Sequence, residues 1–599
     1  MVKRTFGWVQ NPGDLKKLKR VVSIFQRGSE WNIWMIRTRL PLLHRFKLIS
    51  NADYALFVSE LSKPFIEIDY SMLKGKGSSS GSRKDALCTG IIQAVIDAQQ
   101  NKTYIDVAGI TEFFKKPYTD DWSAEGYLRW AVSCGLIEYV NDTDKCKITS
   151  LGIELSSSED GSDGEKEVLS RALLSYPPVI RILSLLREKD KQTKFDLGSK
   201  LGFKEEMGFT SIPQAVYLCD YCEAATSAEK STVRSNDEGD SDKYARGIAS
   251  WCAQMGWVVS SNEEVTGTYR GRTYTAFLQA YSITRAGEKA LIKAKGNSSN
   301  PRLPKIVMFE MLASNKTHGA NYIRYQRACI LKAFSTTEKT LEQLQNALKG
   351  YDLEIDIVAI KDHIDGLVSI GIEIAQNGNK YRLLDKIEHL ELPARASCVK
   401  DDVNDIIDRV RRKLIHLNRK YLILIDLAYS DAASKAKKNA DAREFEIQTA
   451  DLFTNELPFH GMRLGDANRP DIIISYDENG TIIDNKSYKD GFHINRSCAD
   501  EMSRYINENA MKSAALNPNK WWENFDPEVK RYTFLFVTSY LKGEFEKQLE
   551  YISVANSGIK GAAIGIENLL YFAEGVKSGK YSPMDFYNHI NNEELLFTV

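Results

Sequence analysis

The sequence predicts a multidomain protein of the α+β class, and three observations lead to that prediction. The chain has 599 residues, and at about 150 residues per domain this length corresponds to about four domains. A pattern of amphipathic helix, glycine and strand pair occurs three times before residue 392. From residue 403 onward, buried strands alternate with helices, which is typical of an α/β domain. The composition, 43% hydrophobic and 27% charged, is globular and excludes a disordered, collagenous or membrane chain.

The repeated pattern has the same order of elements in each copy. The copies surround Gly135, Gly256 and Gly371, and apolar residues recur at helical spacing before each glycine. Glycine can end a helix in the left-handed conformation, and turn residues such as Asn377-Gly378 then separate two short strands. A helix followed by a β-hairpin forms the end of a winged helix-turn-helix unit, in which one helix can enter the major groove of DNA. We therefore predict three winged-helix-like units, each of which could instead serve as a protein-interaction module.

Changes in composition separate the predicted domains. The segments 155–167 and 295–305 are rich in small polar and charged residues, and the segment 392–402 precedes a long amphipathic helix. The predicted domains are residues 1–154, 168–294 and 303–391 for the three winged-helix-like units, 392–402 for a linker, and 403–599 for the C-terminal domain.

The charge of the chain is unevenly distributed. Lys+Arg and Asp+Glu are both 80, so the formal net charge is zero, which would argue against a polyanionic partner. Residues 1–50, however, hold eleven Lys or Arg and only two acids, for a local charge of +9. Trp8, Trp31 and Trp34 lie between these cations. The segment is therefore a candidate phosphate-binding surface, with a solvated basic face as the alternative.

Neither a membrane anchor nor a cysteine-based metal site is predicted. The chain has no apolar run near the ~18 residues of a membrane-spanning helix, and its first residues lack the apolar core of a secretory signal. Nine cysteines are few and odd in number, which fits reduced thiols, so we expect a cytoplasmic protein. Cys219 and Cys222 form one Cys-x-x-Cys without a second ligand pair for zinc. The Gly/Ser-rich segment 74–84 lacks the order of a P-loop and is interpreted as a flexible loop.

The C-terminal domain is predicted to contain a hairpin among helices and strands. The predicted helices and buried strands span 403–430, 441–457, 531–539 and 561–566. Between them, the apolar runs Ile472–Tyr476 and Thr481–Ile483 are joined by Asp477-Glu478-Asn479-Gly480. Asn-Gly between apolar runs is a strong signal for a two-residue hairpin turn.

This hairpin brings three charged residues together. Asp471 lies at the start of the first strand, whereas Asp484 and Lys486 lie near the end of the second, two residues apart and therefore on one face. The two carboxylates can converge and form an oxygen site suited to Mg²⁺. A lysine beside them can orient a water or stabilise negative charge, and Glu446 on the preceding helix could add a carboxylate. Such a group is suited to metal-assisted hydrolysis of a phosphodiester.

The spacing of these residues matches a nuclease signature. Pro470-Asp471, twelve residues, Asp484, one residue and Lys486 form the pattern of the PD-(D/E)xK nuclease fold. By itself the pattern is loose, because Asp-x-Lys often occurs by chance on a solvated surface. The hairpin, Glu446 and the basic N-terminal segment agree with it, so we predict a nuclease. Two alternatives remain open: a winged-helix regulator with an inactive nuclease-like domain, and a nicking or repair enzyme of this fold that never dimerises.

Long strings along the whole chain resemble the FokI-type IIS restriction endonucleases, a family that also contains StsI. They occur in the family's order: RTFGWVQNPG, SYPP, IRIL, TKFDLG, SDKYAR, ADEMSRY, NPNKWW and FLFV. The resemblance implies three DNA-recognition subdomains, a cleavage domain and a Mg²⁺ cofactor. It also implies that Asp471 and Asp484 bind the metal, that Lys486 is the catalytic lysine, and that Glu446 matches an acidic position before the site.

The resemblance further implies which residues contact double-stranded DNA. They are Gln10, Asn11, Arg83, Gln99, Trp122, Asn236, Glu238 and Lys243. A glutamate can accept a hydrogen bond from cytosine, and a lysine can donate one to guanine. The sequence departs from the family in the run 235–238, where Ser-Asn-Asp-Glu replaces Asn-Asn-Trp-Glu, and in an insertion before Trp122. The GGATG-like asymmetric site that the family implies is therefore an expectation.

Pairing of two chains is also implied by the resemblance. One chain has one site and can cut one strand, so cutting both strands needs two cleavage domains or two successive events. The family's dimerisation pair falls on Asp500 and Arg504, although an Asp–Arg pair at i,i+4 would equally form within one helix. The family also implies a cut at a fixed distance outside the site, an idle cleavage domain held until DNA is bound, and action in the bacterial cytoplasm.

Overall fold

A computed structural model describes most of the chain. It covers residues 6–75 apart from 11, 46 and 48, residues 90–96, and residues 121–599 apart from 270, 298–300, 335–336, 432–434 and 466–467. The labels below number the described helices and strands in chain order.

Helices surround a small antiparallel sheet in the first unit. Its helices are α1 (Leu15–Ser23), α2 (Glu30–Trp34), α3 (Leu40–Arg45), α4 (Asn51–Ser62), α5 (Tyr70–Lys74), α6 (Ile91–Ile96), α7 (Asp121–Ser133) and α8 (Ser150–Ser157). Its strands are β1 (Glu67–Asp69), β2 (Ile137–Val140) and β3 (Lys145–Ile148). The strand order is β1-β3-β2, with both pairings antiparallel.

The second unit contains a long hairpin. Its helices are α9 (Asp163–Leu174), α10 (Pro177–Glu188), α11 (Lys194–Gly198), α12 (Gln214–Glu223), α13 (Ser227–Asn236), α14 (Asp240–Gln254) and α15 (Arg285–Lys295). Its strands are β4 (Gln192–Thr193), β5 (Val258–Tyr269) and β6 (Arg272–Ile283). Strands β5 and β6, each of 12 residues, pair antiparallel along their whole length.

The third unit is smaller and joins the C-terminal domain. Its helices are α16 (Ala320–Ala333), α17 (Leu341–Leu348) and α18 (Ile357–Ser369). Its strands are β7 (Lys305–Ile306), β8 (Lys339–Thr340), β9 (Ile374–Asn377), β10 (Lys380–Leu383) and β11 (Ile387–Glu388). They form one antiparallel sheet, in the order β8-β10-β9, and a parallel pair of β7 with β11.

All three units have the predicted order of helix, glycine and strand pair. Gly135, Gly256 and Gly371 follow α7, α14 and α18 with φ values of 68°, 70° and 101°. These values lie in the region that glycine adopts without steric cost. At Gly371 close packing adds a second requirement, because a Cβ would lie 2.0 Å from the carbonyl oxygen of Pro177.

The three units share one hydrophobic core. Buried residues from Phe6 to Cys398 form a single cluster. Within it, Trp130 of α7 and Trp251 of α14 are fully buried and stack with ring centroids 4.4 Å apart. The indole N–H of Trp251 also donates to the carbonyl of Pro12 at 2.6 Å. The units therefore pack as one body, whereas the C-terminal domain has core clusters of its own.

A mixed six-stranded sheet organises the C-terminal domain. Its strands lie in chain order and are β12 (His460–Arg463), β13 (Ile472–Tyr476), β14 (Asn479–Lys486), β15 (Arg531–Thr538), β16 (Gly561–Gly565) and β17 (Glu593–Glu594). The pairings from β12 to β14 are antiparallel, and those from β14 to β17 are parallel. Along β13, Ile472 and Ile474 face one core cluster while Ile473 faces the other, as strand alternation requires.

Helices cover both faces of this sheet. They are α19 (Asp402–Lys413), α20 (Ile423–Ala428), α21 (Lys435–Asp451), α22 (Arg496–Met511), α23 (Phe545–Ala555), α24 (Ile566–Lys577) and α25 (Pro583–His589). The strands predicted over 531–539 and 561–566 are present as β15 and β16.

The helix predicted over 403–430 is broken in the structure. Helix α19 ends at Lys413, and α20 begins only at Ile423. Between them, the buried carboxylate of Glu574 accepts the backbone N–H of His416 at 2.9 Å and that of Leu417 at 2.8 Å. These hydrogen bonds replace those of a continuous helix, and their acceptor lies more than a hundred residues away in the chain.

The hairpin turn lies before the predicted Asn-Gly. Tyr476 pairs with Asn479, so the turn consists of Asp477 and Glu478, and Asp477 adopts a φ of 49°. Gly480 lies inside β14, where a Cβ would come within 2.8 Å of a methyl group of Val529. Close packing, and not the turn, therefore requires this glycine.

No single helix in the described parts of the chain is long and apolar enough to cross a membrane. Helices α9 and α10 would reach that length only together, and they are bent by 91° relative to each other.

Candidate active site

The hairpin of β13 and β14 brings the predicted active-site residues together. Ile472 pairs with Ile483, so Asp471, immediately before β13, lies beside Asp484 on β14. The Oδ2 atom of Asp471 accepts the backbone N–H of Asn485 at 2.7 Å, which fixes this carboxylate against β14. The Nζ atom of Lys486 lies 2.8 Å from Oδ2 of Asp484. The three side chains therefore form one largely buried charged group.

The electrostatics of this group favour an added positive charge. Burial, and then the nearby Glu446, raise the pKa of Asp471 to about 6. Burial and the neighbouring Asp471 raise the pKa of Asp484 well above its usual value. Burial acts to lower the pKa of Lys486, but Asp484 outweighs this effect and keeps that pKa above its ordinary value. Burial thus disfavours the ionised form of both carboxylates and the neighbouring acids add to this effect, so a cation bound between them would stabilise their charged form.

The two aspartates fit a divalent cation. Oδ2 of Asp484 is buried and, among the described residues, accepts no hydrogen bond of ordinary geometry, with Lys486 as its ion-pair partner. Mg²⁺ is usually held by one or two carboxylates together with water and substrate phosphates. No cluster of three or more His, Cys, Asp or Glu placed to hold a metal occurs in the parts of the chain that the structure describes. The site thus offers two carboxylates, and Glu446 does not complete a third position.

Glu446 is held by an arginine that the sequence did not indicate. Nε of Arg463 in β12 donates to Oε2 of Glu446 in α21 at 2.8 Å, and both side chains are largely buried. Burial raises the pKa of Glu446, although Arg463 acts against this effect. Gly465 makes room for the arginine, because a Cβ there would lie 2.2 Å from the guanidinium. No sequence spacing connects these positions, so only the packing of α21 beside β12 could reveal the pair.

Three predicted DNA contacts line one cleft between the three N-terminal units. Gln10, Trp122 and Lys243 border a cavity of about 340 Å³. The side-chain amide of Gln10 donates to Oδ1 of Asp240 at 3.1 Å, and Trp122 on α7 is 62% exposed. Arg129, which the sequence did not single out, borders the same cleft. Residues far apart in the chain therefore converge on one surface.

Two other predicted DNA contacts, among the residues that the structure describes, lie on the segment before α14. Asn236 is exposed at the end of α13, whereas Glu238 is buried. Glu238 Oε1 lies 3.0 Å from Nζ of Lys194 and 2.8 Å from Nε of Arg246. Burial acts to raise the pKa of Glu238, but the two cations outweigh it and leave that pKa below its usual value. In this conformation Glu238 is therefore engaged by the protein. Asn11, Arg83 and Gln99 lie outside the described residues.

Asp500 and Arg504 lie on an exposed face of α22. Oδ1 of Asp500 is 3.0 Å from Nε of Arg496, and Nη2 of Arg504 is 3.7 Å from Oε1 of Glu501. Arg504 also donates to the side-chain oxygen of Asn468 at 3.1 Å. Asp500 and Arg504 thus each contact other side chains. They do not form an ion pair with each other within the helix.

Helix α21 connects the active site with the N-terminal units. Arg443 of this helix forms an ion pair with Asp237, on the segment that carries the predicted contacts Asn236 and Glu238. One turn further on, Ile447 packs into an apolar cluster of the second unit. A cavity of about 130 Å³ lies between helix α21 and the second unit. The helix that carries Glu446 therefore touches the segment predicted to contact DNA.

Models of four parts of FokI match the chain in order. They are FokI recognition domain subdomain 1 over residues 4–158, FokI recognition domain subdomain 2 over 165–299, the FokI D3 domain over 312–379, and the FokI cleavage domain over 400–596.

Curated relatives and solved structures match nearly the full chain. The chain is 36% identical over 604 residues to the type II restriction enzyme FokI of Planomicrobium okeanokoites, with 99% of each chain covered. It is 30% identical over 586 residues to the type II restriction enzyme StsI of Streptococcus sanguinis, covering 95% of this chain and 92% of StsI. Solved structures of FokI alone and of FokI bound to DNA superpose with TM-scores of 0.86 and 0.87. Both are 35% identical and cover 99% of this chain and 100% of theirs.

Proposed function

The chain belongs to the FokI family of type II restriction enzymes, and from this premise we propose that it binds a short asymmetric, GGATG-like duplex site and cuts both strands outside it. It is a site-specific deoxyribonuclease with a DNA-recognition half and a cleavage domain. The observation that carries the proposal is the buried group of Asp471, Asp484 and Lys486 in one domain, with the predicted DNA contacts in another. We place the enzyme in the bacterial cytoplasm, as the family implies.

The finer fold assignment is part of the proposal. We assign the cleavage domain, residues 403–599, to the PD-(D/E)xK type, because Asp471, Asp484 and Lys486 lie on neighbouring strands of a mixed sheet. We assign the three recognition units to a winged-helix-like type, because each has a helix, a glycine stop and a hairpin. Their proposed bounds are 1–154, 168–294 and 303–391, with 392–402 as the linker.

The proposed chemistry is metal-assisted hydrolysis at the hairpin. Asp471 and Asp484 would hold a divalent cation, Mg²⁺ in this proposal. When bound, the cation would polarise the phosphoryl oxygen and lower the pKa of the attacking water. Lys486 supplies a fixed positive charge that orients this water and stabilises charge on the scissile phosphate. The ion pair with Arg463 holds the carboxylate of Glu446 in one orientation beside the site.

The recognition half is proposed to read DNA in the cleft between its units. The cleft supports three of the proposed DNA contacts, because it is lined by Gln10, Trp122 and Lys243. Lys243 can donate to guanine, and Glu238 can accept from cytosine once it exchanges its protein cations for a base. The remaining proposed contacts rest on the resemblance and are Asn11, Arg83, Gln99 and Asn236.

Sequencing the ends of digested DNA tests the proposed function. Duplex DNA of mixed sequence is digested with Mg²⁺, and the ends are mapped. We expect one asymmetric motif, with both cuts at a constant offset on the order of one helical turn (~10 bp) from it. Without Mg²⁺ the DNA should stay intact. Ends at random positions would contradict the proposal.

The idle cleavage domain is proposed to be held by the segment that reads DNA. The supporting contacts are the Arg443–Asp237 pair and the packing of Ile447 on the second unit. The same digestion with Asp237→Ala should give a larger share of ends away from the constant offset, because this contact to α21 is lost. An unchanged distribution of ends would argue against this segment as the holding surface.

Cutting of both strands is proposed to need two chains. We expect the variant Asp500→Ala with Arg504→Ala to bind site DNA normally but to make double-strand breaks at least about tenfold more slowly at low protein concentration, because interface anchors contribute more than about 1 kcal/mol. Raising the protein concentration should recover part of the rate. Unchanged double-strand cutting would favour the alternative of a monomeric enzyme that cuts in successive events.

A further inference from the structure

Glu501 lies between Arg504, which is proposed to join two chains, and Lys486, which is proposed to act on the phosphate. Its Oε1 is 3.7 Å from Nη2 of Arg504, and its Oε2 is 3.9 Å from Nζ of Lys486. Lys486 is in turn 2.8 Å from Asp484. A continuous chain of alternating charges therefore runs from the exposed face of α22 into the buried active site.

A hydrogen bond from a buried tyrosine holds the carboxylate of Glu501 in place. The hydroxyl of Tyr505, one helical turn further along α22, donates to Oε1 of Glu501 at 3.2 Å. Tyr505 is buried and packs edge-on against Trp521 in the core of the domain. The guanidinium of Arg504 lies over the Tyr505 ring, 4.9 Å from its centroid. The carboxylate thus has one buried neutral donor, Tyr505, and two cations that contact different oxygens.

Within the described parts of the chain, Lys486 has two carboxylate partners, and they lie at different distances. Its ammonium carries three N–H donors, and Asp484 at 2.8 Å is closer than Glu501 at 3.9 Å. In the proposed active state the oxygens of Asp484 face a cation, so Asp484 can no longer neutralise Lys486 in the same way. Glu501 is then the carboxylate in contact that can keep the ammonium aimed at the reacting phosphate.

Arg504 competes with Lys486 for this carboxylate. Both cations contact Glu501 at long ion-pair distances, so neither holds it firmly. If Arg504 turns to an acidic residue of a second copy of the chain, Glu501 is left with Lys486 and Tyr505. Pairing of two copies would then shorten the Glu501–Lys486 contact in each active site.

We propose that Glu501 is a positioning residue that couples pairing of two chains to the placement of Lys486. This inference rests on the proposed function, because it needs both a nuclease site and dimerisation through α22. The simpler interpretation is an exposed i,i+3 Glu–Arg pair, which contributes little and would leave the rate unchanged.

Single-turnover cleavage by Glu501→Gln in the full-length chain tests the inference. The substrate is a duplex with one site, and the rate is followed as protein concentration rises, which yields a limiting rate and a half-saturating concentration. We expect the limiting rate to fall about 10- to 100-fold, the usual effect of removing a residue that orients an active-site group. The half-saturating concentration and the binding of site DNA should stay near wild type.

Two further variants make the result specific. Glu523→Gln is the matched control, because Glu523 is exposed and forms an i,i+3 pair with Lys520 at 3.6 Å in the same domain. Arg504→Ala should do the opposite of Glu501→Gln: it should raise the half-saturating concentration and leave the limiting rate nearly unchanged. Glu501→Asp keeps the charge and should recover part of the limiting rate.

The possible failures are distinguishable. A limiting rate of Glu501→Gln equal to that of Glu523→Gln, with normal concentration dependence, would overturn the role of Glu501 alone. A wild-type rate that does not depend on protein concentration would overturn the proposed pairing, and the coupling with it. Equal melting temperatures of the variants would exclude misfolding as the cause of a loss.

Discussion

Asp471→Ala is expected to lose Mg²⁺-dependent cleavage and to keep binding of site DNA. Among the described residues, Asp471 is one of the two carboxylates proposed to hold the cation, so Asp484 alone would leave the cation with half of its proposed protein ligands. Loss of the several kcal/mol that a metal contributes to the transition state, about 4 kcal/mol, corresponds to about a 10³-fold lower rate. In the proposed function, DNA binding depends on the cleft between the recognition units, and Asp471 is not among the residues that line this cleft. Single-turnover cleavage and a gel-shift with the same duplex measure the two properties.

Two companion variants separate chemistry from folding in this experiment. Asp471→Asn retains an oxygen that can accept the backbone N–H of Asn485, so the hairpin keeps its hydrogen bond. Asp490→Ala removes an exposed carboxylate from the same domain and should cut at the wild-type rate. Cleavage near the wild-type rate by both Asp471 variants would show that the catalytic group lies elsewhere.

Arg327→Met is expected to destabilise the recognition half by about 3–5 kcal/mol. Arg327 is completely buried and forms ion pairs with Glu206 and Glu205, the latter at 2.9 Å. It also donates to the carbonyl of Leu312 at 2.8 Å and to Nδ1 of His363 at 3.2 Å. Methionine fills a similar volume but leaves the buried Glu206 without its cation. We expect the melting temperature to fall by on the order of 10 °C.

An exposed ion pair between distant segments is the control for this prediction. Lys293 and Glu167 pair at 2.6 Å with about half of each side chain exposed. Lys293→Met should therefore change the stability by no more than about 1 kcal/mol. Thermal melting followed by tryptophan fluorescence compares the two variants, because the buried Trp130 and Trp251 of the recognition half contribute to this signal. Equal melting temperatures would mean that the buried network contributes little.

The hairpin of the candidate active site could be predicted because its geometry is local. Asp471, Asp484 and Lys486 lie within sixteen consecutive positions, and strand alternation together with hairpin pairing is enough to bring them together. The glycine stops at Gly135 and Gly256 could be predicted for the same reason, since a helix end needs a residue that tolerates positive φ. Family strings then indicated the recognition and cleavage halves, which the comparisons confirmed.

Predictions failed where a distant residue intervened. The helix over 403–430 is interrupted because Glu574, far along the chain, accepts the amides of His416 and Leu417. The glycine at 480 looked like a turn residue, yet it lies inside β14, where the close approach of Val529 leaves no room for a side chain. In both cases local propensity was overridden by a tertiary contact that no short pattern contains.

The sequence by itself indicated the class of the protein through strings typical of its family, and it indicated the order of the units and the meeting of three residues at the hairpin through local periodicity and spacing. Only the tertiary structure decided which distant side chains meet: Arg463 with Glu446, Arg443 with Asp237, and Glu501 with Lys486. The physical reason is that helix packing, and not sequence spacing, sets these distances. A charged side chain finds its partner only after the sheet and the helices around it have been brought together.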